Sequence, residues 1–444
     1  MSYGINTKAI EVLQMSGLGN FGLDKLGLEN AREKFARAVL KKLNEARPQE
    51  KWHFDKESFA LKQADVTEEA APELLYLENL FLEYENAEDK DKPAFLAKAV
   101  SITEPFTMPE TFEEAKANLL VNAMPIFNIV IVSMQLRKLA AENRRHAPAQ
   151  EMEEQPLPYS LISSQLGLIF VLDRPAGKAY IDQATINKWG VPVDELFDVA
   201  TMNLARMTAR GGFNGISREP GGPCCLYQSV LQDSYEGARI IFPQLFEELP
   251  IKGDPVMVVP NNDVLLVTGS EDEDGLALCL EAYERAQSLP NPLPPLPLIG
   301  RDGKLEDFLP PPSSPLHLPF KRLKNLYLNS IYAEQKKVLE ETTGKGPDAP
   351  FVATFAALEK KDGQATEAIS SVTTWSQEID SLLPEAEQVA LVVGQGKEQK
   401  VLGFAPWEKV LTVAGERLER TGYFPTRFRT RGALTQAEIT QLTR

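Results

Sequence analysis

The stretch from Gly253 to Ser288, GDPVMVVPNNDVLLVTGSEDEDGLALCLEAYERAQS, decides the fold class. Pro255–Val259 and Val264–Thr268 are apolar and rich in valine, and Asn261-Asn262 between them is a turn signal, so the pair reads as a β-hairpin. Leu276–Ser288 then carries apolar residues at helical spacing. Upstream, Leu166–Leu172 and Lys178–Ile181 read as strands joined by the turn Asp173-Arg174-Pro175-Ala176-Gly177. Val193–Met207 reads as an apolar helix. Gly215–Val230 holds strand residues around Pro220-Gly221-Gly222-Pro223, and Ser234–Leu249 reads as a further helix. Strand, helix, strand, helix, hairpin, helix is an α+β order, with helices on one face of an antiparallel or mixed sheet.

Working outward, residues 30–46 show the helical stripe Phe35, Val39, Leu40 and Leu43. Lys51–Gln63 reads as two strands around Asp55-Lys56, followed by helices over Leu74–Asn86 and Ala94–Val100. Pro105–Arg145 reads as helix interrupted at Pro125, and 146–158 as a loop. Ten of the 32 prolines fall within 289–319, which reads as an extended linker or strap. Beyond it lie a helix over Leu323–Glu341 and two hairpin-like pairs, Phe351–Leu358 with Ala365–Trp375 and Val389–Val393 with Val401–Phe404. The expected organisation is three units, a mainly helical α-β-β-α unit at 1–145 and α+β units at 159–288 and 320–444, with the proline-rich 289–319 joining the last two.

Composition narrows the function. The chain has 444 residues, 43% of them hydrophobic and 25% charged, which suits a globular protein of several modules. Sixty-three acidic against 47 basic residues give a net charge of −16, which disfavours nucleic acid as a partner. The last 30 residues run the other way, with six arginines and three acids, and this basic tail is expected to dock on an acidic surface of the chain or of a second copy. Cys224, Cys225 and Cys279 do not make a disulfide framework. His53, His146 and His317 have no zinc-ligand spacing, so no metal is expected. The most apolar run, Leu119–Met134, is 16 residues with Asn122, Asn128, Ser133 and Pro125 inside it, short of the about 20 needed to span a bilayer. It reads as a buried helix. With no signal-peptide pattern at the N-terminus, no membrane association and a cytoplasmic location are expected.

No complete catalytic constellation is present. Gly211-Gly212-Phe213-Asn214-Gly215 matches neither a Walker nor a dinucleotide fingerprint, so no cofactor is expected. Ser270–Glu281 aligns with a calcium-binding EF loop at Asp272, Asp274, Gly275 and Glu281. A serine nevertheless opens it and a strand precedes it, so an acidic helix cap is the better reading. The cluster Asp233-Ser234-Tyr235-Glu236-Gly237-Ala238-Arg239 places a capping box at a helix start, with Glu236 three residues after Asp233. The turn Pro260-Asn261-Asn262-Asp263 supplies a second polar group.

The chain resembles the YtpQ-like bacterial family, a domain of unknown function, over about residues 30–310. The resemblance rests on the order of Leu77–Tyr84, Trp189-Gly190-Val191, Asn203-Leu204, Asp233–Arg239 and Gly253–Asp263. Tyr332–Lys336 and Thr374-Trp375 are similar to extended members. It implies a bacterial cytosolic α+β protein and brings no catalytic residues with it. The candidate ligand- or partner-binding residues are Asn203, Asp233, Ser234, Tyr235, Arg239, Asn262 and Asp263. The expected function is non-enzymatic binding of a protein partner, a second copy or a ligand. The alternative is a hydrolase or nucleotide-handling enzyme built on Asp233, Arg239 and Asp263.

Overall fold

The computed structural model describes residues 25–56, 59–64, 74–102, 107–143, 157–174, 177–287, 291–301, 304–342, 349–362, 365–394 and 400–443. The N-terminal segment, His146 and most of the 146–158 loop lie outside the described residues. The chain forms two compact units: one reaches Leu293 and takes in Pro297–Asp307, and the other is Phe308–Arg444 with Pro294–Leu296.

The first unit begins with helix α1 (Lys25–Ala46), whose Phe35, Val39 and Leu43 are buried at the expected helical spacing. They pack with Trp52, Leu61 and Phe81 around the antiparallel sheet β1 (Lys51–Asp55), β2 (Ala60–Ala64) and β3 (Leu74–Tyr76). Leu74–Asn86, expected as one helix, divides because Leu74–Tyr76 pairs with β2; helix α2 (Glu78–Asn86) and then α3 (Lys92–Ile102) follow.

The apolar run Leu119–Met134 also divides. After the short helix α4 (Phe112–Ala115) and a single 3₁₀ turn, Leu119–Pro125 forms strand β4 with every residue buried, and helix α5 (Ile126–Asn143) starts at once. Continuous apolarity has no period that tells a buried strand from a buried helix. The decision comes from β6 (Leu166–Arg174), which pairs with β4 from Leu119↔Leu172 to Pro125↔Leu166. β5 (Tyr159–Leu161) and β7 (Gly177–Tyr180) pair with β6 as well. The boundary expected between 145 and 159 therefore separates no cores, since β4 and β6 share one.

Helix α6 (Gln183–Trp189) leads to helix α7 (Val193–Thr208), which buries Leu196, Ala200, Leu204 and Thr208 along one stripe against β4. A third, six-stranded sheet of the first unit runs in the order β13-β12-β10-β11-β9-β8. Its members are β8 (Phe213–Ser217), β9 (Cys224–Ser229), β10 (Pro255–Asn261), β11 (Val264–Gly269), β12 (Leu298–Arg301) and β13 (Lys304–Asp307). The last two strands come from the proline-rich stretch expected as a linker. Leu298–Arg301 is free of proline, its Leu298 and Ile299 are buried, and it pairs with Met257 and Val256 of β10. Proline density thus marks the approach to a strand here, and the chain passes to the second unit after Asp307.

The first unit also holds helices α8 (Glu236–Arg239) and α9 (Glu273–Ala286), and the second unit opens with helix α10 (His317–Thr342). Two four-stranded sheets follow, β14-β17-β21-β20 and β15-β16-β18-β19. The strands are β14 (Phe351–Val352), β15 (Ala356–Asp362), β16 (Ala365–Ser376), β17 (Ser381–Pro384), β18 (Gln388–Val393), β19 (Lys400–Pro406), β20 (Leu418–Arg420) and β21 (Arg427–Thr430). Val389–Val393 pairs with its expected partner and Ala356–Leu358 pairs with β16, but Phe351-Val352 joins β17 in the other sheet; β17 also falls between the two pairs in the chain, so β16 and β18 run parallel. Helices α11 (Trp407–Ala414) and α12 (Gln436–Thr443) close the core around Trp375, Leu383, Val389 and Leu391. Among the described residues no helix is long and apolar enough to cross a membrane.

The EF-like match is resolved by packing. Asp272 caps helix α9 (Glu273–Ala286) by accepting from Gly275 N at 3.2 Å, while Lys252 and Arg218 pair with Asp272 and Asp274. Gly275 is required because a Cβ there would lie 2.0 Å from Thr268 Oγ1 and 2.2 Å from the Cys225 carbonyl, where the helix start presses on β9 and β11. Gly275→Ala is expected to lower stability by about 1–3 kcal/mol through overpacking. Gly212→Ala, whose added carbon would meet nothing within 4 Å, is expected to be near neutral. Urea unfolding followed by circular dichroism compares them, and equal midpoints would refute the packing argument.

Candidate functional site

Beyond β9 the backbone turns sharply, with Gln232 at φ 47° and Ser234 at φ 66°, left-handed values that are uncommon for residues with a side chain. Helix α8 (Glu236–Arg239) follows as a single turn, all four of its residues buried. The helix expected over Ser234–Leu249 goes no further. Proline at 243 disfavours helical backbone at Phe242, which has ψ 83°, and only a 3₁₀ turn, Pro243–Leu245, comes next. The capping box is absent too: Tyr235 is the N-cap and makes no side-chain cap. Glu236 instead accepts the Gln232 N–H and the Ser229 hydroxyl, both at 2.8 Å.

This single turn is wedged between the β4–β7 sheet and the six-stranded sheet, against β4, β10 and β11. Gly237 makes the fit possible, because a Cβ there would stand 2.6 Å from Asn262 Oδ1 and 2.9 Å from the Ala123 methyl. At its end Arg239 has no exposed surface. Its fork meets both Asp233 oxygens, at 2.5 and 2.6 Å, and its Nε donates to Thr208 Oγ1 at 2.9 Å. Glu236 Oε2, equally buried, lies 3.6 Å from Arg239 Nη1.

A second polar layer lies nearer to solvent. Lys178 is half-buried; its amine donates to Asn122 Oδ1 at 2.8 Å and to the Ser234 carbonyl, and sits 3.8 Å from the centre of the Tyr235 ring. The Tyr235 hydroxyl donates to Asp173 at 2.7 Å, and the Ser234 hydroxyl donates to Asp263 at 2.5 Å. Asn262 donates from Nδ2 to the Ala123 carbonyl, and its backbone carbonyl accepts the Glu236 N–H. Asp173 and Asp263 form the exposed rim.

Burial pushes the Lys178 ammonium down to about 8, against the opposing pull of Asp263, Asp173 and Asp233. Burial also raises the Tyr235 phenol, reinforced by its bond to Asp173. For Asp233, burial works upward, but the Arg239 fork outweighs it and holds the carboxyl below its ordinary value.

Six of the seven residues singled out from sequence therefore converge: Asp233, Ser234, Tyr235, Arg239, Asn262 and Asp263. Asn203 does not join them. It sits on α7 and donates to the Lys116 and Leu119 carbonyls at 2.8 and 2.9 Å, fastening the turn that leads into β4. The sequence reading missed Lys178, Asp173, Thr208 and Asn122. Asn122 carried a signal, a lone amide inside a continuous apolar run, whereas Asp173 and Lys178 read as ordinary turn residues. Chemically most of the cluster is spent on the fold: both Asp233 oxygens, the Tyr235 hydroxyl and the Lys178 amine are directed to groups of the fold, while the buried Glu236 Oε2 and Asn262 Oδ1 accept no hydrogen bond from the described residues. Among the described residues no group of three or more histidine, cysteine, aspartate or glutamate side chains could hold a metal ion. No family model, curated protein or solved structure matches the chain.

Removing one partner of a buried charge network strands the others. Arg239→Met is expected to cost about 3–5 kcal/mol in chemical unfolding, and Asp263→Ala on the exposed rim no more than about 0.5 kcal/mol. A cost for Arg239→Met as small as that for Asp263→Ala would show that the network does not hold the joint.

The Lys178 shift also fixes a sign. Between about 8 and the ordinary lysine value of 10.5 the unfolded chain binds more protons at this position than the folded chain, so stability rises with pH across that window. Lys178→Met lacks this rise. Urea midpoints at a series of pH values should show the wild type gaining on the variant as pH increases through the window; parallel curves would refute the shift.

Proposed function

We propose that this chain is a non-enzymatic binding protein of the bacterial cytosol that associates with a protein partner or with a second copy of itself. The observation that carries the reading is that both edge strands of the β15-β16-β18-β19 sheet of the second unit carry exposed apolar side chains, although Ala390 and Val392 on β18 between them are buried. Leu358 on one edge strand is 55% exposed, and Val401 and Phe404 on the other are 53% and 56% exposed. In a regular strand positions 401 and 404 would face opposite ways. A bulge around Leu402 pairs Val392 with Val401 and Ala390 with Phe404, bringing both to the same face, while Leu402 packs toward the core on the other. Among the described residues no strand pairs with the outer sides of the edge strands β15 and β19. Open edges with exposed apolar side chains favour association with another chain.

The hydrolase or nucleotide-handling alternative draws less support. It requires Asp233, Arg239 and Asp263 to act on a substrate, and the first two are bonded to each other through both carboxylate oxygens. The YtpQ-like resemblance adds no catalytic residue to that alternative.

Native mass spectrometry of the untagged protein isolated from its host is expected to give a mass above the 49.3 kDa of one chain. Phe404→Glu combined with Val401→Glu is expected to return it to the single-chain mass with an unchanged circular dichroism spectrum. A bare single-chain mass for the wild type, together with turnover of a metabolite, would overturn the reading.

A further inference from the structure

Asn203, the candidate residue that stands apart from the joint, lines the floor of a different feature of the first unit. A shallow depression of about 320 Å³ lies between the outer face of α7 and the turn that follows α4. Its wall on α7 consists of Val199, Met202, Asn203 and Arg206, positions that share one side of a helix and lie away from the buried stripe of Leu196, Ala200 and Leu204. Glu113 and Lys116 face them from the turn side.

Two properties set this hollow apart. Its charge runs against that of the chain: Lys116 and Arg206 against Glu113 leave one positive charge, where the protein as a whole carries −16. Glu113 already meets Lys116 at 3.2 Å, so the residual charge is on Arg206. Arg206 is also held in place by neutral atoms. Its Nη1 donates to Asn203 Oδ1 at 3.3 Å and its Nη2 lies 3.0 Å from Met202 Sδ. Asn203 is in turn fixed by its two bonds to backbone carbonyls. Among the described residues no carboxylate pairs with Arg206, so the remaining donors of a supported guanidinium fork are left to solvent. Beside it Met202, 49% exposed, and the partly buried Val199 offer apolar surface.

A guanidinium fork suits the two oxygens of a carboxylate, and a concave site with apolar walls and one oriented polar group suits a small organic molecule. We propose that this depression binds a small organic carboxylate, with Arg206 holding the carboxylate and Met202 and Val199 covering its apolar body. The site is distinct from the open sheet of the second unit and does not depend on that reading.

The test follows backbone amide shifts of the whole protein by NMR during titration with sodium hexanoate, hexanamide and inorganic phosphate. Hexanoate is expected to give saturable shifts at α7 and at residues 113–118, hexanamide none, and phosphate weaker shifts than hexanoate. Arg206→Gln, a change on the surface, is expected to weaken hexanoate binding about tenfold or more, as for loss of charge-assisted hydrogen bonds. Met202→Ser is expected to weaken hexanoate without altering the response to phosphate. Absence of saturable shifts, equal binding by Arg206→Gln, or phosphate binding more tightly than hexanoate would each overturn the assignment.

Discussion

A guanidinium with no exposed surface is the constraint around which the first unit is arranged. Moving a charge out of water costs several kcal/mol, and the cost is offset only when partners meet it with good geometry. Arg239 draws those partners from three places: Asp233 from the turn after β9, Glu236 from its own single helical turn, and Thr208 from the end of α7. Satisfying them together dictates the backbone. It accounts for left-handed Gln232 and Ser234 and for Gly237 at the point where α8 touches both β4 and the β10–β11 turn, while Pro243 keeps α8 short. The outer layer of Lys178, Tyr235, Asn122 and the two rim aspartates then extends the same fastening from β4 across to the β10–β11 turn.

The second unit buries an arginine by a different route. Arg427 also has no exposed surface, yet its partners are neutral: Gln335 at 2.6 Å, the carbonyls of Ala353 and Leu382 at 2.7 and 2.8 Å, and that of Tyr332 at 3.3 Å. The Tyr332 ring lies 5.3 Å from the guanidinium carbon. Burial without a carboxylate lowers its pKa to about 10. One side chain thereby ties α10, β14, β17 and β21 together. The neighbouring tail arginines follow the ordinary pattern, Arg417 with Glu438, Arg429 with Asp380 and Arg431 with Glu419. Glu438 and Glu419 belong to the tail itself, so of its excess of three positive charges these pairs meet one, through Asp380.

These arrangements separate two kinds of polar residue. Groups clustered in sequence at Asp233–Arg239 are turned inward and serve the fold. The surfaces left open are less conspicuous in sequence: the exposed apolar pair Val401 and Phe404, which depends on a bulge, and the hollow beside Arg206, which depends on α7 meeting a turn about 90 residues earlier in the chain. A charged motif that stands out in a sequence can therefore be architectural.

The amino-acid sequence by itself determined the α+β class, the β10–β11 hairpin, the helical stripe of α1 and the strand pairs of the second unit, because hydrophobic period and turn chemistry are local. It also brought out six residues that meet at one joint. Tertiary structure alone decided three further matters. Leu119–Pro125 is a strand because β6 lies beside it, and an apolar run has no period of its own to choose. The proline-rich stretch supplies strands because Leu298 and Ile299 find β10 free. The Asp233–Arg239 cluster became a buried fastening because its partners, Thr208, Lys178 and Asp173, come from elements that only folding brings together.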